Sequence, residues 1–264
     1  MKSMRLFGIV LLATFLSGGS NKAYADACGE NLTWTYDKDT KTLTISGTGE
    51  MDNYNTSSNS PWYDIRDNIQ TIVIKSGVTS IGSSAFKGCK EVNSVEIPNS
   101  VIKIGESAFQ NCKGITSFTI NDKVSTIEPS TFYGCSNLAT LIIGKSVTSI
   151  GHNNFVFCGL KDIYCYAEAV PFASKAFEGA DVDGHPEVIT LHVPANSIKD
   201  YQAEYPWKNF KEIVALEDTG ICSVESDNEI IETYSLRGEK LNNLSKGIKI
   251  IRTKDGQTKK VFFK

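Results

Sequence analysis

The chain has 264 residues, 41% of them hydrophobic and 22% charged, which excludes disorder throughout and suits one elongated domain with or without a small appendage. Its formal net charge is −3 and no stretch forms a basic stripe, which argues against nucleic acid and anionic membrane surfaces as partners.

Lys2 and Arg5 precede the apolar run Leu6 to Leu16, and a small polar stretch leads to Ala23-Tyr24-Ala25. That order predicts an export signal over residues 1–25, cut before Asp26, and places the protein outside the cell or on its outer surface. The apolar run would cover only about 16 Å as a helix, against a hydrocarbon core of about 30 Å. Lipid attachment at Cys28 is the alternative, but Ala25-Asp26-Ala27 lacks the leucine expected at the start of a lipobox. Without residues 1–25, 24 basic residues face 30 acidic ones, a net charge of −6.

Leu32 to Tyr36 and Thr42 to Ser46 alternate around Asp37 to Thr40, which predicts a β-hairpin. Ser60-Pro61-Trp62-Tyr63-Asp64 then offers Ser at a cap, Pro at the first helical position and an acid in the first turn. A short helix starting there would lay Trp62 and Ile65 on the next element. Residues 26–68 read as a β-rich N-terminal cap.

Self-similarity takes over from residue 69. Phe86, Phe109, Phe132 and Phe155 stand 23 residues apart, and so do Cys89, Cys112, Cys135 and Cys158. Ile74, Ile97, Ile120 and Ile143 keep the same step, as do the columns that begin at Val78 and Ile81. A 23-residue period with aliphatic columns is the signature of a leucine-rich repeat solenoid. No coil of such an array buries its side chains alone; stacked neighbours share one core. In one unit Val95-Glu96-Ile97 alternates like a half-buried strand and Pro98-Asn99-Ser100 turns the chain. Val101 and Ile104 face inward again, and Ala108-Phe109 opens an arc that closes at Cys112 and Ile115. Stacking at a strand spacing of about 4.8 Å puts each Phe over the next.

The register breaks after Cys158. Cys158 to Leu160 is one residue shorter than Cys135 to Leu138, and an insertion runs from Ala167 to Pro186, with Ala176-Phe177 as a displaced echo of Ala108-Phe109. Ile189 to Val193 reads as a strand, Ser197 to Glu204 as a helix and Ile213 to Leu216 as a closing strand, with Tyr205 to Phe210 as aromatic cover. Repeats and C-terminal cap together span 69–217. Glu217 to Gly220 has linker character, and residues 218–264 alternate as a small β-rich module with turns at Arg237-Gly238 and Asp255-Gly256.

Ile-Gly-x-x-Ala-Phe-x-x-Cys, at Ile81 to Cys89 and Ile104 to Cys112, resembles the BspA-like leucine-rich repeat of bacterial surface proteins. Cys28 to Tyr36 with Leu43 to Gly49 is similar to a front cap of that family, and Leu191 to Pro194 with Tyr201 and Trp207 to Phe210 to its closing unit. The resemblance covers about residues 28–216, departing at Glu128-Pro129, where Gly is expected, and at Asn154 in place of Ala. The tail, from Tyr234 to Leu241 through Gly247 to Ile251 and Val261, resembles the C-terminal sorting modules of type IX secretion. The resemblance implies surface adhesion, with host matrix or another cell-surface protein as partner, and no catalysis.

The chemistry-bearing residues form no set. Export invites disulfides among the seven cysteines, yet the ladder places Cys where each coil needs a small apolar side chain. Parallel in-register side chains also lack the crossed geometry of a disulfide, so buried free thiols are expected. No Cys-x-x-Cys pair with a matching His suggests zinc, and His152, His185 and His192 read as surface residues. No Gly-x-Ser-x-Gly elbow occurs, and Asp181-Val182-Asp183-Gly184 lacks the third acid and closing Glu of a calcium loop. Neither enzyme activity nor a cofactor or metal is expected.

The outward strand positions remain. Thr71, Ser94, Ser117 and Thr140 form one column, and Val73, Glu96, Thr119 and Ile142 the next, with no aromatic row and almost no charge. These eight are the candidate protein-binding residues, since solenoids bind along a sheet face; the 167–186 insertion is the second candidate. A solvated face that binds nothing is the bland reading. A carbohydrate-binding accessory role is the alternative, and exposed aromatic rows would support it.

Overall fold

The computed structural model describes residues 27–55, 60–173, 175–177 and 188–216, and the backbone of three more strands, Ile230–Tyr234, Gly247–Thr253 and Thr258–Phe263. The export signal, Cys222, His185, the Asp181 to Gly184 loop, the Glu217 to Gly220 linker and both tail turns lie outside the described residues.

Each coil runs front strand, turn, side strand, arc. The front of the array begins with the antiparallel hairpin Leu32–Asp37 and Thr42–Gly47, then turns parallel through Thr71–Ile74 and Ser94–Glu96. A second parallel sheet continues it through Ser117–Ile120, Thr140–Ile143, Asp162–Cys165, Thr190–Val193 and Glu212–Ala215. The side sheet stacks Gly49–Glu50, Val78–Ile81, Lys103–Ile104, Thr126–Ile127 and Ser149–Ile150. Thr140 pairs with Ser117 and Ser149 with Thr126, so the 23-residue period is also the ladder register.

Between the two sheets runs an aromatic spine. Trp62 stacks on Phe86 at 5.3 Å, Phe86 on Phe109 at 5.4 Å, Phe109 on Phe132 at 5.9 Å and Phe132 on Phe155 at 6.1 Å. Phe177 adds the next ring at 5.0 Å, so the displaced echo in the insertion carries the column on. A tryptophan closes each end: Trp62 Nε1 donates to Ala85 O and Trp207 Nε1 to Pro171 O, both at 2.8 Å. Both indoles are fully buried, and these bonds remove the cost of burying a polar N–H.

The arcs are turns and not helices, which follows from their backbone. Ser84, Ser107, Ser130 and Asn153 all have φ near +55°, one per coil. A second left-handed column holds Gly88, Asn111, Gly134 and Phe157. Gly and Asn suit that region, whereas Phe157 at φ 57° is a bulky residue where few are tolerated.

One sequence expectation needs correction. The helix after Pro61 is 3-10, spans Tyr63–Asn68 and begins at Trp62 without a side-chain cap, so Ser60 is not its cap residue. Ser60 instead gives its carbonyl to the Tyr63 N–H at 2.9 Å. Asn154 also does more than fill space. It is fully buried and its Nδ2 donates to Glu128 O and Gly151 O at 2.8 and 2.9 Å, tying two coils together. Thr131, in the same column, donates its hydroxyl to Glu128 O at 2.7 Å within its own coil and reaches Gly105 O of the preceding coil at 3.4 Å.

Candidate binding face

Strand alternation sends every second front residue outward, and ladder register aligns them. Ile72, Phe118, Leu141, Ile163 and Leu191 point into the core and are all but fully buried. Of the eight outward candidates, Ser117 is exposed and Thr71, Val73, Ser94, Glu96, Thr119, Thr140 and Ile142 are half-buried. Thr71 pairs with Ser94 and Val73 with Glu96; Ser117 pairs with Thr140 and Thr119 with Ile142.

The eight do not form one sheet. No ladder joins Ser94–Glu96 to Ser117–Ile120, so the face divides four and four. The break falls where a phenylalanine enters an aliphatic column. Phe118 wedges edge-on against Phe109 at 4.9 Å and Phe132 at 4.7 Å, while Val95 and Ile97 on the other side are left half-buried. Below the break Asn121 spans the two coils, its Nδ2 donating to Val101 O at 3.0 Å and Pro98 O at 3.2 Å.

The second half of the face extends further than the sequence columns did. Thr140 pairs with Asp162 and Ile142 with Tyr164; Asp162 pairs with Thr190 and Tyr164 with His192. The Tyr164 and His192 rings stack at 4.2 Å with 9° between their planes, and His192 Nε2 lies 3.1 Å from Asp162 Oδ1. The outward face thus carries aromatic rings beyond the eight candidate positions, which themselves hold none. These residues were missed because a fixed 23-residue step from Thr140 and Ile142 lands on the buried Ile163 and Cys165. The one-residue shortening after Cys158 was the signal that moves the columns back by one. The ladder neighbours of His192 are Tyr164 and Val214, neither a serine nor a cysteine that the Asp162–His192 pair could activate.

The cysteine ladder is interior. Cys112, Cys135 and Cys158 donate their thiols to Phe86 O, Phe109 O and Phe132 O at 3.0 to 3.1 Å, the same bond in three successive coils. All six described cysteines are free. Burial pushes the Cys89 and Cys135 thiols up to about 12 and raises Cys112 and Cys158 well above the ordinary value, which keeps them as unreactive thiols. Among the described residues no group of three or more His, Cys, Asp or Glu is placed to hold a metal ion, and no helix is long and apolar enough to cross a membrane.

Residues 58–182 match the BspA type leucine-rich repeat region in six copies. The matched segment is similar to that repeat family over 125 of the 264 residues. Solved structures are similar to the chain. A leucine-rich repeat protein from Eubacterium ventriosum is 27% identical with a TM-score of 0.54, the match covering 65% of this chain and 44% of that one. A leucine-rich repeat protein from Treponema pallidum is 16% identical, with a TM-score of 0.43 over 72% of this chain and 82% of that one. A leucine-rich cell surface protein from Faecalibacterium prausnitzii is 17% identical, with a TM-score of 0.33 over 74% and 73%. This chain therefore spans less than half the length of the Eubacterium protein it matches. No curated protein matches the chain. Within the repeat array the repeated positions serve the core.

Proposed function

We propose that the protein is an exported, non-enzymatic interaction module that binds another protein, of host matrix or of a cell surface, through the second half of its front face. The observation that carries this reading is the patch Asp162, Tyr164 and His192 beside Thr119, Thr140 and Ile142. It joins an apolar side chain, two rings stacked and held by a carboxylate, and small hydroxyls on one rigid sheet. Pre-ordered aromatic anchors surrounded by small polar groups favour protein recognition, because little side-chain entropy is lost on contact. Export is supported by the apolar run Leu6 to Leu16 before Ala23-Tyr24-Ala25. The tail contributes an antiparallel three-stranded sheet, Ile230–Tyr234, Gly247–Thr253 and Thr258–Phe263, and the proposed role for residues 218–264 is sorting during export.

The test is binding of the exported protein to a panel of extracellular-matrix and cell-surface proteins, repeated with Tyr164→Ala and with Thr119→Lys. Loss of a saturable interaction in both variants, with unchanged melting, supports the reading. Retention of binding in both moves the site to the 167–186 insertion, of which residues 174 and 178–186 lie outside the described residues. Turnover of a glycan or peptide by the purified protein sinks the interaction-module reading.

A further inference from the structure

Away from the front face, the first two coils and the N-terminal cap enclose a cleft of about 440 Å³. Arg66, Lys87, Lys90 and Lys113 line it, and among the described residues no acidic side chain does, although the chain as a whole is acidic. Between the cations stand Tyr54 and Tyr63, the amides of Asn55 and Asn111, and the hydroxyls of Ser60 and Ser84. Arg66 is held in place: its Nη1 donates to Tyr63 O at 2.8 Å, and its guanidinium lies 3.8 Å from the centre of the Tyr63 ring. Asp67 approaches Arg66 at 3.8 Å but is 60% exposed, so solvent screens most of its effect. Lys90 and Lys113 are 23 residues apart, which sets them one above the other on successive coils. Gly88 lines the cleft. It sits at φ 77°, a Cβ added there would meet nothing within 4 Å, and the same column carries the exposed Phe157 three coils later.

We propose that this cleft binds an acidic sugar, a hexose-sized ring carrying a carboxylate or a sulfate. Four cations with no acid among them focus positive potential on a concave surface and select an anion. The amides and hydroxyls between them match ring hydroxyls in both donor and acceptor sense, and the exposed Tyr63 ring adds an apolar surface beside them. The volume falls in the range of roughly 300–1,000 Å³ over which small ligands are enclosed. An acidic peptide would use the same cations, but its backbone needs a sheet edge or a long groove, and the cleft is lined by turn and 3-10 residues. This site is separate from the front face, so the two proposals stand or fall independently.

Calorimetric titration of the full chain decides it. The probes are a heparin tetrasaccharide, a hyaluronan tetrasaccharide, neutral chitotetraose and a short poly-glutamate peptide. Saturable one-to-one binding of a sulfated or carboxylated tetrasaccharide is expected, weakened by salt and at least about tenfold weaker in K87Q/K113Q. The K145Q/K161Q pair, exposed lysines outside the cleft, keeps wild-type affinity, and melting is unchanged in both pairs. The heparin and hyaluronan arms separate sulfate from carboxylate recognition. The proposal is overturned by no saturable binding of either acidic tetrasaccharide, by equal weakening in both lysine pairs, by chitotetraose binding as well, or by tighter binding of poly-glutamate.

Discussion

Phe109 lies almost parallel to Phe132, with ring centroids 5.9 Å apart and 5° between the planes. Phe109 is fully buried, touches rings on both neighbouring coils and on Phe118, and cannot be replaced by the collapse of any one of them. Phe109→Ala is expected to cost about 3–5 kcal/mol in a denaturant melt. A change below about 0.5 kcal/mol would mean that the spine does not hold the coils together.

Asn121 is 6% exposed and makes two bonds across the one place where the front ladder is interrupted, while its Oδ1 accepts from Lys123 N at 2.8 Å. Asn121→Ala leaves two carbonyls without this donor in a part-buried setting. A loss of about 1–3 kcal/mol is expected, with faster amide exchange in Ser117–Ile120 than in Thr140–Ile143. Equal exchange in both strands of the variant would show that Asn121 is no clasp.

The buried thiols make stability depend on alkaline pH. Folded Cys89 and Cys135 ionise at about 12 against an ordinary value of 9.0, so the fold favours the neutral form. Their contribution is complete below about pH 9 and is lost as pH rises toward about 12. The denaturation midpoint of the wild type should therefore fall between these values more steeply than that of C89A/C135A. In the same experiment, thiol reagents at neutral pH should modify the ladder cysteines only after unfolding; rapid labelling of the folded protein contradicts their place in the core.

The Asp162–His192 pair is a surface feature in energetic terms, since the Asp162 side chain is 41% exposed. Asp162→Asn should change stability by less than about 1 kcal/mol. Its expected effect is on recognition, by loosening the Tyr164–His192 stack, and the readout is partner dissociation rate beside an unchanged melt. A large fall in melting temperature would assign the pair to the fold instead.

The spine, the cysteine ladder and the coil register were legible because each rests on one residue type at a fixed step, and close packing tolerates little else there. Three features were not. The aromatic end of the front face hid behind a single-residue shortening that turns the outward column into Ile163 and Cys165 on paper. The split of the sheet hid in Phe118, which reads as one more core hydrophobe until its ring is seen between Phe109 and Phe132. The basic cleft hid because Arg66, Lys87 and Lys113 come from different turns. Period reveals what repeats; function sits in what departs from it.

The interrupted front ladder has a mechanical meaning. Across the same two coils the side sheet stays paired, with Ile104 against Ile127, and the arcs stay bonded, with Phe109 N donating to Thr131 O, so the array is stitched everywhere but along its front edge. It resembles a book bound along its spine, with Asn121 as a small clasp on the open side. Opening or closing by a few degrees would re-angle the upper four candidate residues against the lower four without breaking a single ladder bond. A partner that spans both halves would be gripped by adjustment of the angle, and one that rests on the lower half alone would leave the hinge free.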